Sequence, residues 1–106
     1  MAFDGKYLGT AALAGSTIRS RGDCATVTSV DMTITGGQVV IHEIRFEGYK
    51  VVYQGMVNTA GEVSASRQSK VPPYSVVPVS GTVHDKAFTG VAGDQHCYYK
   101  LEMSKV

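Results

Sequence analysis

Long apolar runs are missing from this chain of 106 residues. The longest, such as Val39-Val40-Ile41, are strand-sized and far below the roughly 18 residues a membrane-spanning helix needs. An excess of one charge is missing too. Ten Lys and Arg stand against nine Asp and Glu, for a net charge of +1. That balance leaves no electrostatic footprint for nucleic acid or an anionic membrane surface. Helix-forming stretches are scarce: only Thr10 to Ile18, "TAALAGSTI", is compatible with one, and Gly15 breaks it, so a loop or a single turn is expected there. The opening "MAFDG" has no basic start followed by an apolar centre and a small-residue cleavage site, and an initiator Met before Ala2 fits a mature domain without its leader. Tryptophan is absent, and the three prolines all fall between Pro72 and Pro78.

Cysteine occurs only at Cys24 and Cys97. A bridge between them would close a loop of about 74 residues, worth roughly 4 kcal/mol in the chain-entropy picture. With no third thiol the pair is self-contained. We expect a disulfide and hence an oxidising compartment, secreted or periplasmic. The other reading is two unrelated buried thiols.

What is present is β signal. Glycine, threonine and valine are frequent, and eight runs read as strands: Phe3–Thr10, Thr26–Thr35, Val39–Phe46, Tyr49–Val57, Glu62–Gln68, Val77–His84, Ala87–Ala92 and Cys97–Ser104. The last alternates most cleanly, Cys97, Tyr99, Leu101 and Met103 against Tyr98, Lys100, Glu102 and Ser104. His84-Asp85-Lys86-Ala87 reads as a two-residue hairpin turn pairing Val83 with Phe88 and Gly81 with Gly90. Asn58 to Glu62 pairs Val57 with Val63. At Gly36-Gly37 a three-residue loop pairs Ile34 with Val40, Met32 with His42 and Val30 with Ile44. That register buries more apolar surface than a two-residue turn and points His42 inward. A large residue two positions before a glycine recurs, as in Tyr53-Gln54-Gly55 and Phe88-Thr89-Gly90. The spacing suits a small barrel that alternates large and small inward residues. The expected architecture is one all-β domain over 1–106, an antiparallel up-and-down barrel of about eight strands; a two-sheet sandwich is the alternative.

The chemistry is sparse. Arg21-Gly22-Asp23 matches an adhesion tripeptide, but Gly and Asp are ordinary turn residues leading into Cys24. The histidines show no H-x-x-x-H spacing and the cysteines no C-x-x-C, so no metal and no cofactor are expected. No G-x-S-x-G is present, and no Ser or Cys is visibly partnered with a His as nucleophile and base would be. Tyr7, Tyr53 and Tyr99 fall on inward faces and, with His42, are the candidate interior polar groups. "SKVPPYSVVP", Ser69 to Pro78, reads as a long extended connection, and Lys70, Pro72, Pro73 and Tyr74 form a candidate binding loop.

The opening "FDGKYLG", the middle "VSGTV" and "FTG" and the closing "CYYKLEM" resemble small bacterial secreted β-barrel domains of unassigned activity, which begin on an F-D-G-x-Y-x-G strand and carry a Cys in the last strand. Strand count and the G-x-Y-x-G opening are also similar to avidin-like and lipocalin-like barrels. Size and a single disulfide are similar to periplasmic barrels that inhibit lysozymes or proteases. These resemblances imply an antiparallel barrel with no catalytic residues to carry over.

The functional expectation is therefore a non-enzymatic secreted or periplasmic binding module that engages a protein or glycan through its loops, with no nucleic acid and no membrane insertion. One alternative is an inhibitor of a secreted hydrolase that uses the proline-rich loop. Another is a small-molecule carrier or cavity enzyme with an internal pocket.

Overall fold

The computed structural model describes residues 3–15, 27–44, 50–68, 76–93 and 98–106. They form eight strands: β1 (Gly5–Gly15), β2 (Val27–Thr35), β3 (Gln38–Ile44), β4 (Lys50–Val57), β5 (Glu62–Gln68), β6 (Val76–His84), β7 (Ala87–Gly93) and β8 (Tyr98–Lys105). Each pairs antiparallel with its sequence neighbour, and β1 pairs with β8, closing an up-and-down barrel. Closure removes both sheet edges and excludes the two-sheet sandwich.

Period-two alternation decides which side chains fill the barrel. Along β8, Tyr99, Leu101 and Met103 are buried while Tyr98, Lys100, Glu102 and Ser104 are exposed. On β2 and β3 the inward set is Val30, Met32, Ile34, Val39 and Ile41. Eight strands leave an interior just wide enough for such side chains, and here they form one buried core cluster.

Turn residues set the registers. Asp85 and Lys86 both take positive φ, 49° and 66°, and the hairpin pairs Val83 with Phe88 and Gly81 with Gly90 as expected. The Asn58 turn pairs Val57 with Val63, also as expected. Asn58 Oδ1 accepts from the amides of Ala60 and Glu62, each at 3.0 Å, which replaces the ladder bonds the turn gives up.

Two expectations are corrected. Gly36 and Gly37 take φ of 58° and 85°, the paired positive values of a two-residue hairpin turn whose twist matches the flanking strands. The register is therefore Ile34 with Val39, Met32 with Ile41 and Val30 with Glu43. This is one residue off the expected three-residue loop, so every β3 side chain changes face. Val39, Ile41 and Glu43 point inward and His42 points outward. The second correction concerns Ala11 to Gly15, expected as a loop or a single turn, which continues β1. Alanine has little β propensity, but this stretch is bonded on both edges, with Ala11 opposite Thr28 on β2 and Leu101 on β8. Barrel closure overrides local preference. A bulge between Leu13 and Gly15 shifts the register with β8, so that Leu13 pairs with Tyr99 and Gly15 with Tyr98.

The N-terminal residues seal the end where the three short turns lie. The Tyr7 hydroxyl donates to the Phe3 carbonyl at 2.8 Å, and the Gly36 amide donates to Asp4 Oδ2 at 2.9 Å. The Gly36 amide holds the Asp4 carboxyl below its ordinary value of 3.8. A depressed carboxylate pKa contributes stability that is present above the ordinary value and lost as pH falls through the folded one. We expect the denaturation midpoint of the native chain to fall below about pH 4, and Asp4→Asn to flatten that part of the profile. Urea melts at stepped pH test this, and identical acid limbs for the two proteins would refute the role of Asp4.

Candidate functional site

The barrel has two unlike ends. The turns at Gly36-Gly37, Asn58 to Gly61 and Asp85-Lys86 lie at one end, with Phe3 and Val106. The connections 16–26, 45–49, 69–75 and 94–97, the first three longer than any of those turns, join strand ends at the other. The connections themselves lie outside the described residues. So do Arg21-Gly22-Asp23, Cys24 and Cys97, His96 and the loop residues Lys70, Pro72, Pro73 and Tyr74.

The interior changes character along the axis between these ends. Toward the turns it is apolar, with Ile34, Val57, Val63, Val83, Phe88 and Met103 all buried. Toward the longer connections it holds Thr28, Glu43, Tyr53, Arg67 and Tyr99. The reason is positional: Thr28 is one residue into β2, Glu43 and Arg67 are each one residue from the ends of β3 and β5, and Tyr99 is one residue into β8. All take the inward parity of their strands.

Glu43 is the centre of this cluster. It is 2% exposed, an extreme burial for a residue type that is almost never buried unless paired. The Thr28 hydroxyl donates to Oε2 at 2.8 Å, and the Tyr53 hydroxyl donates to Oε1 at 3.2 Å. Each carboxyl oxygen thus receives its own donor from a neighbouring strand, which replaces part of the hydration lost. Behind Tyr53, the Arg67 guanidinium lies 5.6 Å from the ring centroid. The chain of contacts runs Thr28, Glu43, Tyr53, Arg67 across β2 to β5.

The tyrosines read from the sequence as interior are interior. Tyr7, Tyr53 and Tyr99 are each 1% exposed. They do not share a site: Tyr53 and Tyr99 belong to the polar half, whereas Tyr7 sits at the sealed end. Burial there raises the Tyr7 hydroxyl pKa, with the Asp4 charge adding to it.

His42, expected inside, faces out. Its Nδ1 lies 3.1 Å from Asp31 Oδ1, and both side chains are one-third exposed. Among the described residues no hydroxyl or thiol is hydrogen-bonded to His42. The pair lies in a cross-strand row between exposed Leu8 and Val52. It braces β2 to β3 on the outer face.

Glu43 and Arg67 were missed as interior residues, and both were findable. Val63, Ala65 and Arg67 share one parity in "EVSASRQ", so pairing Val57 with Val63 already turned Arg67 inward. Glu43 was hidden by the one-residue register error at Gly36-Gly37.

One depression of about 360 Å³ lies at the β3–β4 surface, lined by Gln38, Val40, Gln54 and Met56 with the backbone-level Val39 and Gly55. It is separate from the polar cluster.

Compared with known protein families, with curated proteins and with solved structures, the chain matches none.

Proposed function

We propose that this protein is a non-enzymatic binding module, secreted or periplasmic, that engages a protein or glycan at the end of the barrel opposite the three tight turns, where the longer connections 16–26, 45–49 and 69–75 lie. One observation carries the reading: the two ends differ. The first has tight turns over an apolar core. The second lies beside a buried polar cluster in which Thr28 and Tyr53 donate to Glu43 near the ends of β2, β3 and β4. Rigid barrels commonly present binding groups on the connections of one end, where length can vary without disturbing the strands.

The outer face supports work in water. Lys6, Glu62, Lys100 and Glu102 are exposed on it. A barrel facing lipid carries an apolar outer band and a polar interior, the reverse of this arrangement. No helix among the described residues is long and apolar enough to cross a membrane. An isolated cysteine pair, Cys24 and Cys97, supports an oxidising compartment.

The test is a labelled chain screened on a glycan array and against a panel of lysozymes and secreted proteases. Tyr74→Ala, between longer-connection strands, is expected to weaken the resulting contact by about tenfold or more. The turn variant Asp85→Asn is expected to leave it unchanged. A contact weakened by Asp85→Asn and indifferent to Tyr74→Ala would place binding at the wrong end and refute the reading. Inhibition of a hydrolase in the panel by the chain, lost in Pro72→Ala, would move the assignment to the inhibitor alternative.

A further inference from the structure

A depression of about 360 Å³ opens on the outer wall of β3 and β4. It falls at the small end of the roughly 300–1,000 Å³ that ligand sites occupy. The strand register sets its lining. Gln38 stands opposite Met56, and Val40 opposite Gln54, so the two amides lie on one diagonal and the two apolar side chains on the other. Diagonal neighbours across an antiparallel pair are about 7–8 Å apart, near enough for one ring-sized molecule to touch all four. The wall on both sides is uncharged. The same cross-strand rows continue through Thr33 and Thr35 on β2 and through Ser64 and Ser66 on β5, all exposed. Among the described residues, charge resumes outside these rows: at Lys6 beside Thr33, at the Asp31–His42 pair, and at Glu62, which Asn58 Nδ2 holds at 2.8 Å. On β8 the wall is different, with Lys100 and Glu102 in an ion pair at 3.7 Å. A solvated surface ordinarily mixes charges of both signs. A face that replaces them with amides and hydroxyls lowers the cost of taking a neutral polar ligand out of water, because no charge is left buried and unpaired.

The geometry points to the β3–β4 depression as a binding site for one ring of a neutral saccharide. A sugar hydroxyl both donates and accepts, and each glutamine amide offers both roles in return. The C–H face of the ring packs on Val40 and Met56, whose flexible thioether follows the ring's outline. Thr33 and Thr35 on one side, and Ser64 and Ser66 on the other, extend the contact to further rings, directly or through water. A peptide fits less well. Peptides join sheets by adding a strand to a free edge, and this closed barrel has none. Nor is the depression lined by the tyrosine, tryptophan or arginine on which protein contacts concentrate their affinity. The inference places a glycan site on the barrel wall, apart from the longer connections, and does not rest on the loop-end reading.

The experiment is an NMR titration of the 15N-labelled chain, following the side-chain amide signals of Gln38 and Gln54. Methyl glycosides of glucose, galactose, mannose and N-acetylglucosamine are added one at a time, with neutral tri-alanine as the peptide probe. At least one glycoside is expected to shift both amides saturably, with an affinity unchanged by added salt because no charge pair forms. Gln54→Leu loses the amide at an exposed position. It is expected to weaken that affinity about tenfold or more while the rest of its spectrum stays in place. Lys100→Gln, on the β8 wall, is expected to leave the affinity unchanged. No saturable shift with any glycoside overturns the inference. So does saturation by tri-alanine alone, full affinity in Gln54→Leu, or an equal loss in Lys100→Gln. A glycan from the partner screen whose contact is lost in Tyr74→Ala, and which moves neither glutamine, would support the loop-end reading and overturn this one.

Discussion

Phe88→Ala is expected to cost about 3–5 kcal/mol, the largest loss of any single truncation in this barrel. The side chain is fully buried. Its effect goes beyond lost area, because the ring lies over the Gly81–Gly90 pair on the adjoining strands. A Cβ added at either glycine would stand 2.6 Å from Phe88 Cζ. The two glycines lack side chains of their own, so the Phe88 ring is what fills the interior there. This is the arrangement in which an aromatic side chain covers strand glycines and fixes their register. Removing the ring leaves a cavity floored by bare backbone that the neighbours cannot fill, since both strands are bonded on each side. The converse substitution tests the same geometry. Gly90→Ala is expected to be destabilising in the native chain and less so in a Phe88→Leu background, since the shorter side chain releases part of the clash. The rest remains, because the new Cβ also meets the Ser80 carbonyl at 2.6 Å. Urea denaturation of the two single variants and the double variant gives the coupling. Additive losses would show that ring and glycines do not act as one unit.

The fold was legible because its determinants are local. Alternation marked β8, and Asn58 and Asp85-Lys86 announced their turns, so partners such as Val57 with Val63 followed directly. What escaped was decided by closure or by compensation. Ala11 and Ala12 are strand residues because β2 and β8 bond to both of their edges, a fact of the closed barrel and not of the alanines. The Gly36-Gly37 register was misjudged for a more instructive reason. Counting apolar area favoured burying Ile44 over Glu43, but the turn's backbone preference and two hydroxyl donors reverse the balance. Thr28 and Tyr53 stand far from Glu43 in sequence, so the compensation appears only once the strands are assembled.

That compensation makes Glu43 the second point of high sensitivity. Glu43→Ala is expected to cost about 2–4 kcal/mol, because the Thr28 and Tyr53 hydroxyls lose their acceptor while remaining inside the barrel, at about 1–3 kcal/mol for each stranded donor. Glu43→Gln is expected to cost less, since the amide oxygen still accepts one hydroxyl and the Thr28 oxygen can accept from the amide nitrogen. The triple change Glu43→Leu, Thr28→Val, Tyr53→Phe removes donors and acceptor together. Replacing a satisfied buried polar group by apolar side chains of similar shape is often neutral or stabilising, so this variant is expected to recover most of the loss. If it does, the cluster is not there for stability. Chemical denaturation of the three proteins decides the point: recovered stability in the triple variant is the expected result, and a triple variant as unstable as Glu43→Ala would make the cluster a structural requirement of the barrel.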